Sequence, residues 1–469
     1  MTLVAGVDSS TQSCKVVICD AASGQVLRFG SAPHPNGTEV NPEHWWLALQ
    51  QAIEAAGGLA DVDAIAIAGQ QHGMVLLDKE GEVIRDALLW NDLRSAESAA
   101  ELIADLTTKE LSGQESWVQR TGLVPVASFT ASKLRWVARN EPDILARAAA
   151  VCLPHDWLTW KLAEQTDIGA LNTDRSDASG TGYFSPETGE YDLELLEIAT
   201  LGKKLLLPAL VGFGQAAYQS KSLTFAGGMG DNAAAALGVG IDLGDILISI
   251  GTSAVVSTLR DGQTKDATGI VSGFASALDQ AFLPLACTLN GAEIFDKYAN
   301  LFSITHEELS DLALSAEIGS QGVVTIPFFN GERTPNLPNA TAEIVGLSLT
   351  NFNQPNLLRS LFEGLLCGLA DAIKMISPEG PGRAFLVGGA ARSEALRAIA
   401  PIIFGREVLV PQPNEYVAMG AAKQAAASIG LSISNWKRTG DLEYKGKHAP
   451  WILSRYQAEV ENLIKTSSS

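Results

Sequence analysis

Leu3-Val-Ala-Gly-Val7, followed by Asp8-Ser-Ser-Thr-Gln-Ser13 and then Lys15-Val-Val-Ile-Cys19, reads as a strand, a polar turn and a second strand. The pattern returns far down the chain. Ile246-Leu-Ile-Ser-Ile250 leads into Gly251-Thr252-Ser253 and then Ala254-Val-Val-Ser-Thr-Leu259. Both stretches predict a β-hairpin with a small, hydroxyl-rich tip, and one such unit opening each half predicts two related lobes. The junction is expected in Gly238-Val-Gly-Ile-Asp-Leu-Gly244, giving lobes of residues 1–242 and 243–469.

Around the hairpins, strand signals precede helical ones. Residues 61–68 form an apolar run, and an Asp-Lys-Glu-Gly turn at 78–81 is expected to join 73–77 to 83–84 in a further hairpin. Leu357, Leu361, Leu365, Leu369 and Ile373 recur every fourth residue, the stripe of a helix with one buried face. Glu363 falls opposite that stripe, on the face that also carries Arg359 and Asp371, and is expected in solvent. Phe385-Leu-Val387, Gly388-Gly389 and the helical run from Ser393 read as strand, glycine turn and helix. The alternation predicts an α/β protein.

At 469 residues the chain exceeds one ordinary core, and 46% hydrophobic with 18% charged residues marks it as globular. A net charge of −20 argues against nucleic acid or anionic lipid as partners. An anionic ligand must then be held locally, by backbone N–H groups and a metal ion. Cysteines 14, 19, 152, 287 and 367 show no metal-ligand spacing and fit a reducing compartment. The first residues carry no basic leader, and no apolar run approaches the roughly 20 residues of a membrane span. A cytoplasmic protein is expected.

Ala226-Gly-Gly-Met-Gly-Asp231-Asn232 opens an alanine run at 233–236, so the Asp231 carboxylate is expected on a glycine-lined turn at a helix start. There it serves either as a helix cap or as a base toward a substrate hydroxyl. The two hairpin tips offer backbone N–H and hydroxyl donors suited to phosphate oxygens. Asp8, an acceptor among such donors, makes chemical sense with Mg²⁺ between it and a nucleotide, and Lys15 can reach the same phosphates. Gly388-Gly389-Ala390 lacks a full dinucleotide fingerprint but leaves room for adenine or ribose. Gly69-Gln70-Gln71-His72-Gly73 and Trp90-Asn91-Asp92-Leu93-Arg94 each follow an apolar stretch. Together they give the platform, donors and acceptors that a buried sugar requires. Glu332-Arg333 lies in a polar loop that either approaches a nucleotide or pairs internally.

With these residues assembled, the chain resembles the FGGY family of carbohydrate kinases over nearly its full length. One family signature matches Phe129-Thr-Ala-Ser-Lys133-Leu-Arg-Trp136-Val-Ala-Arg-Asn140. A second runs from Ala342-Glu-Ile-Val-Gly346-Leu to Asn356-Leu-Leu-Arg-Ser360-Leu-Phe-Glu363, departing only at Leu361. The resemblance implies a two-lobed, actin-like (ribonuclease-H-like) ATPase fold with a catalytic cleft between the lobes. It also implies transfer of phosphate from ATP to a ketose, with D-xylulose O5 favoured over ribulose, glycerol or fuculose by the forms of Gln71-His72 and Trp90–Arg94. By resemblance Asp231 is the catalytic base. Gln71, His72, Trp90, Asn91, Asp92, Arg94 and Asn232 contact the sugar. Ser10, Thr11, Lys15, Gly251, Thr252, Ser253, Gly388, Gly389, Ala390 and Ser393 contact ATP, and Asp8 holds Mg²⁺ through water. A homodimer is common in such relatives. A non-catalytic regulator on this fold is disfavoured because both Asp8 and Asp231 are present. An actin- or chaperone-type ATPase has no use for the polar cluster at 70–94.

Overall fold

The computed structural model describes residues 1–377 and 382–467. The chain folds into two compact units, each discontinuous in sequence. The first comprises Met1–Gly240, Asp261–Leu283 and Asn414–Arg438, and the second Ile241–Arg260, Pro284–Pro413 and Thr439–Ser469.

In the first unit, strands Leu3–Ser9 and Ser13–Asp20 form the expected hairpin, with Asp8 opposite Lys15. Leu3–Ser9 also pairs in parallel with Ala64–Gly69. The sheet then continues through Thr224–Ala226 to an antiparallel edge at Ala216–Gln219, and on its other side to Val26–Pro33. In the second unit the hairpin is Ile246–Ile250 with Ala254–Thr258, and Ile246–Ile250 pairs in parallel with Ala384–Val387. Val408–Val410 follows in parallel and Leu442–Tyr444 closes that edge antiparallel, while Phe282–Thr288 lies beyond the hairpin. The six-strand order and senses are therefore the same in both sheets. The apolar runs are buried along their whole length, as strands covered on both faces must be.

Helix Tyr416–Ser428 lies across the first sheet although it is distant in sequence. Its glycine and alanine content permits a near-backbone approach to helix Asp231–Val239. A methyl placed on Gly420 would stand 2.0 Å from Ala234 O, and one on Gly238 1.8 Å from Tyr416 O. Overpacking of this kind costs about 1–3 kcal/mol. This packing fixes the helix whose first residue is Asp231.

Two expectations are corrected. Glu363 is not in solvent: it is buried, accepting from Gly319 N–H (2.9 Å), Ser320 Oγ (3.1 Å) and Arg359 Nε (2.7 Å). Helix Gln354–Ile376 packs against strand Val324–Ile326 and helices His306–Ser315, Glu394–Phe404 and Pro450–Ser467, so its polar face is covered as well. The turn at 78–81 does form, but Val83 meets Leu77 only through a single bridge. Strand Val75–Leu77 pairs instead with Ala150–Cys152, because that apolar segment offers a full, buried ladder.

Candidate active site

Three neighbouring strand ends build the site of the first unit. Ser9, Gly69 and Gly230 lie in register across parallel strands, so Ser10, Gln70 and Asp231 leave the sheet side by side. Adjacent strands are about 4.8 Å apart. Carboxyl ends of parallel strands are where open α/β sheets take ligands.

Gly230 is the N-cap of helix Asp231–Val239, which makes Asp231 its first helical residue. The preceding turn needs glycine: Gly228 has φ +76°, and a methyl there would stand 2.7 Å from Ile67 O and 2.3 Å from His155 Cδ2. Asp231 Oδ1 accepts from the Asn232 N–H (2.8 Å) and Asn232 Nδ2 (3.2 Å), while Asn232 Nδ2 also donates to Gln71 Oε1 (2.9 Å). The residue as a whole is half-buried. Burial, then the negative charges of Asp8 and Asp177, push its pKa up to about 8 against the pull of the Asn232 N–H. A carboxyl so raised is suited to proton transfer near neutrality.

Asp8 is 5% exposed and its Oδ1 has no hydrogen-bond partner. Burial chiefly, with Glu415 adding and Lys15 opposing, pushes its pKa up to about 7. Lys15 itself is engaged by Glu415, Nζ to Oε2 at 2.7 Å. Ser9 Oγ and both amide atoms of Gln70 are also buried without partners. Unpaired buried polar atoms are costly, so this group of residues is built for something that completes it. An anionic oxygen among neutral donors fits a hydrated Mg²⁺. Among the described residues no three His, Cys, Asp or Glu side chains converge as a ligand set. At the hairpin tip, Ser10 Oγ donates to Ser13 O (3.1 Å) and Thr11 Oγ1 accepts from Trp90 Nε1 (2.9 Å).

His72 is held with φ +68°, its Nδ1 2.8 Å from Gly180 O and its ring 4.9 Å from Phe129 and 5.6 Å from Phe274. Lys133 of the signature segment, fully buried, donates to His72 O at 2.7 Å. That lysine fixes the strained residue, while Trp136 lies under the Arg94 guanidinium at 5.2 Å. Trp90 is 46% exposed, an open platform. Asn91 Nδ2 lies 3.4 Å from Gly37 O. Asp92 and Arg94 are joined at 2.8 Å, Arg94 also pairs with Glu39, and Asp92 accepts from Thr38 Oγ1. Gln71 and Asn232 thus flank Asp231, His72 follows Gln71 and packs on Gly180, Phe129 and Phe274, and Asp92 and Arg94 brace the segment that presents Trp90.

The second unit carries a cavity of about 660 Å³ that brings together Gly389, Ala390 and Ser393 with Phe295, Ser310 and Phe362. That is within the size of small-ligand pockets. Gly388 turns the chain into it at φ +92°, with Ile250 O 2.5 Å from where a methyl would sit. Beside Gly389 a methyl would meet nothing within 4 Å. Ser393 caps helix Glu394–Phe404 and lies 3.0 Å from Ser310 Oγ. Gly251, Thr252 and Ser253 form an exposed loop, anchored by Ala292 N–H to Gly251 O at 2.7 Å. Glu332 pairs internally, with Leu289, Asn290 and the N–H groups of its own loop.

Residues 3–238 match the N-terminal domain of the FGGY family of carbohydrate kinases, and residues 246–429 its C-terminal domain. The chain belongs to the FGGY family of carbohydrate kinases. It is 41% identical to the xylulose kinase of Streptomyces coelicolor, over 91% of this chain and 88% of that protein. With the xylulose kinase of Haemophilus influenzae the identity is 33%, covering 94% and 92%. The crystal structure of xylulose kinase from Bifidobacterium adolescentis superposes with a TM-score of 0.90 at 43% identity, covering 98% and 99%. Glycerol kinase of Plasmodium falciparum with ADP shares the fold, TM-score 0.85 at 19% identity. This FGGY kinase accordingly has the actin-like α/β architecture and uses ATP to phosphorylate a carbohydrate.

Several site-building residues are not singled out by the sequence: Glu415, His155, Asp174, Ser176 and Asp177. Only His155 carries a signal, a charged pair inside Leu153-Pro-His155-Asp-Trp157; Asp174, Ser176 and Asp177 lie in the polar stretch Asn172-Thr-Asp174-Arg-Ser-Asp177 and Glu415 in Pro413-Asn-Glu415, where nothing marks them. Among the described residues no helix is long and apolar enough to cross a membrane.

Proposed function

We propose that this kinase transfers the γ-phosphoryl group of ATP to O5 of D-xylulose, giving D-xylulose 5-phosphate and ADP. The observation that carries the reading is the register that sets Asp231 beside Ser10 and Gln70, with Gln71 and Asn232 bonded to each other at its flank. The relatives at 33–41% identity are named xylulose kinases. In this reading Asp231 accepts the proton from O5 as it attacks, and Gln71, His72, Asn232 and Trp90 hold the sugar, with Asn91, Asp92 and Arg94 fixing its platform. Ser10, Thr11, Lys15 and the Gly251-Thr252-Ser253 loop hold phosphate oxygens, and Gly388, Gly389, Ala390 and Ser393 receive adenosine. Mg²⁺, held by Asp8 through water, would neutralise charge on the β and γ phosphates. Sugar chemistry is assigned to residues 1–242 and nucleotide binding to 243–469. A cytoplasmic location and a homodimer complete the proposal, the first resting on cysteines that are all free and the second on family resemblance alone.

The substrate is tested by ADP release with D-xylulose, ribulose, glycerol and fuculose, the highest kcat/KM being expected for D-xylulose. D-Xylulose at 100 times its Kd should add about 2.7 kcal/mol of stability, read as a rise in Tm. A Tm raised by another sugar and not by xylulose reassigns the substrate. A base must be deprotonated to act, and burial beside two like charges raises the pKa of Asp231. Activity is therefore expected above its pKa and lost as pH falls through it. The acid limb of kcat/KM for the sugar should lie near pH 8, well above the ordinary carboxylate range. A limb near pH 4 would contradict this.

A further inference from the structure

Behind the Asp231 turn lies a second charged cluster, wholly within the first unit. His155, Asp156, Asp174, Ser176 and Asp177 are each 2% exposed or less. His155 Nδ1 is 2.7 Å from Asp177 Oδ2, and its Nε2 is 3.0 Å from Asp156 Oδ1. Asp174 accepts from the N–H groups of Ser176 and Asp177, both at 2.9 Å, which fixes the short turn carrying Asp177.

This cluster touches the site at three points. Ser176 Oγ accepts from the Gly230 N–H at 3.2 Å, and Ser176 O lies 3.5 Å from Gln71 Nε2. The His155 ring fills the space under Gly228, where a methyl group would collide with it. On the far side, Gln424 Nε2 donates to Gly228 O at 2.8 Å. The turn that presents Asp231 is thus clamped between a charged pair below and a helix above. A buried ion pair is weak support for stability, since desolvation offsets its attraction. Its position directly under a catalytic turn calls for another role.

We infer that His155 and Asp177 are positioning residues for the base: the pair carries the turn at 228–231 and keeps a negative charge behind the Asp231 carboxyl. The inference rests on Asp231 being the base. The charges around Asp231 come from two elements, Asp8 on the first strand and Asp177 on the buried turn. Asp8 in turn faces Lys15 and Glu415. Asp177 faces His155 and Asp174, with Asp156 on the far side of the imidazole. Burial works against the His155 cation, but Asp156, Asp177 and Asp174 outweigh it and raise its pKa to about 9. The imidazole in turn draws the carboxyl pKa values of Asp156, Asp174 and Asp177 down, against the burial that raises all three. Arg175, on the same turn, is turned away onto the carbonyls of Leu278 and Ala281.

The decisive variant is Asp177→Asn, which keeps an acceptor for His155 Nδ1 and removes the charge. With one like charge gone, the acid limb of kcat/KM should move to lower pH by about half a unit or more. An unmoved limb in a folded variant overturns the inference. Ser176→Ala changes no charge and removes the hydroxyl that accepts from Gly230 N–H and donates to Asp174. It should lower kcat about fivefold or more while KM for sugar and ATP stays within about twofold. An unchanged kcat overturns the positioning role, and this variant decides the matter if Asp177→Asn does not fold. Asp231→Asn is measured alongside: if it retains full turnover, the base assignment itself has failed. If it is inactive and the other two variants behave as wild type, only the present inference falls.

Discussion

The Asp231→Asn variant is expected to bind sugar normally and to turn over about 10²–10⁴-fold more slowly, the usual loss for a general base. Asparagine has nearly the same shape and retains an oxygen for the Asn232 N–H, the bond that sets the side chain at 2.8 Å. The turn itself is held by main-chain pairing of Met229–Gly230 with Ala68–Gly69, which the change leaves alone. Only the capacity to accept a proton is lost. The expected signature is a fall in kcat with little change in sugar KM, and sugar should still raise the Tm of the variant. Because burial and the charges of Asp8 and Asp177 disfavour an ionised carboxyl at this position, folding near neutral pH must protonate it, and asparagine removes that cost. The variant should therefore be no less heat-stable than the parent. Near-normal turnover would remove Asp231 from the mechanism.

The second large effect is expected at Asp8. Asp8→Asn removes a buried anionic oxygen that no protein donor satisfies. If that oxygen orients the waters of a metal ion, metal affinity should fall about 10–100-fold, as for outer-shell partners of metal sites. Activity at low Mg²⁺ should fall in proportion and recover in part at high Mg²⁺, while sugar affinity in the absence of nucleotide stays unchanged. The same substitution removes one of the two charges that raise Asp231. The acid limb of the remaining activity is thus expected at lower pH than in the parent. A Mg²⁺ dependence identical to wild type would contradict the assignment.

Much of the fold is legible in the sequence, and the reason is local. The first hairpin is an uninterrupted apolar strand, a polar tip and another apolar strand, and the second repeats it. The observed sheets extend this likeness to six strands each. Where strength comes from distant packing, the string is silent. Helix Tyr416–Ser428 returns to the first unit, and its small residues make sense only once Gly420 meets Ala234. Glu363 reads as a surface acid because periodicity reports one covered face, and here helix Gln354–Ile376 is covered on both. Within the site, Asp231, Gln71, His72 and Asn232 stand out on composition, and hydrogen bonds join Gln71, Asn232 and Asp231. The alternative of Asp231 as a cap gives way to Gly230 in that place. His155 and Asp177, 22 residues apart, become visible only when the chain folds back beneath the turn.

The most direct measurement is a crystal structure of the wild-type protein with D-xylulose and a non-hydrolysable ATP analogue. An Asp231 carboxylate oxygen is expected within hydrogen-bond reach of the sugar O5, about 2.6–3.2 Å, with Gln71, His72 and Asn232 on the remaining hydroxyls. An Asp231 side chain turned away from the sugar, or a sugar seated on a surface remote from residues 71–94, would contradict the account.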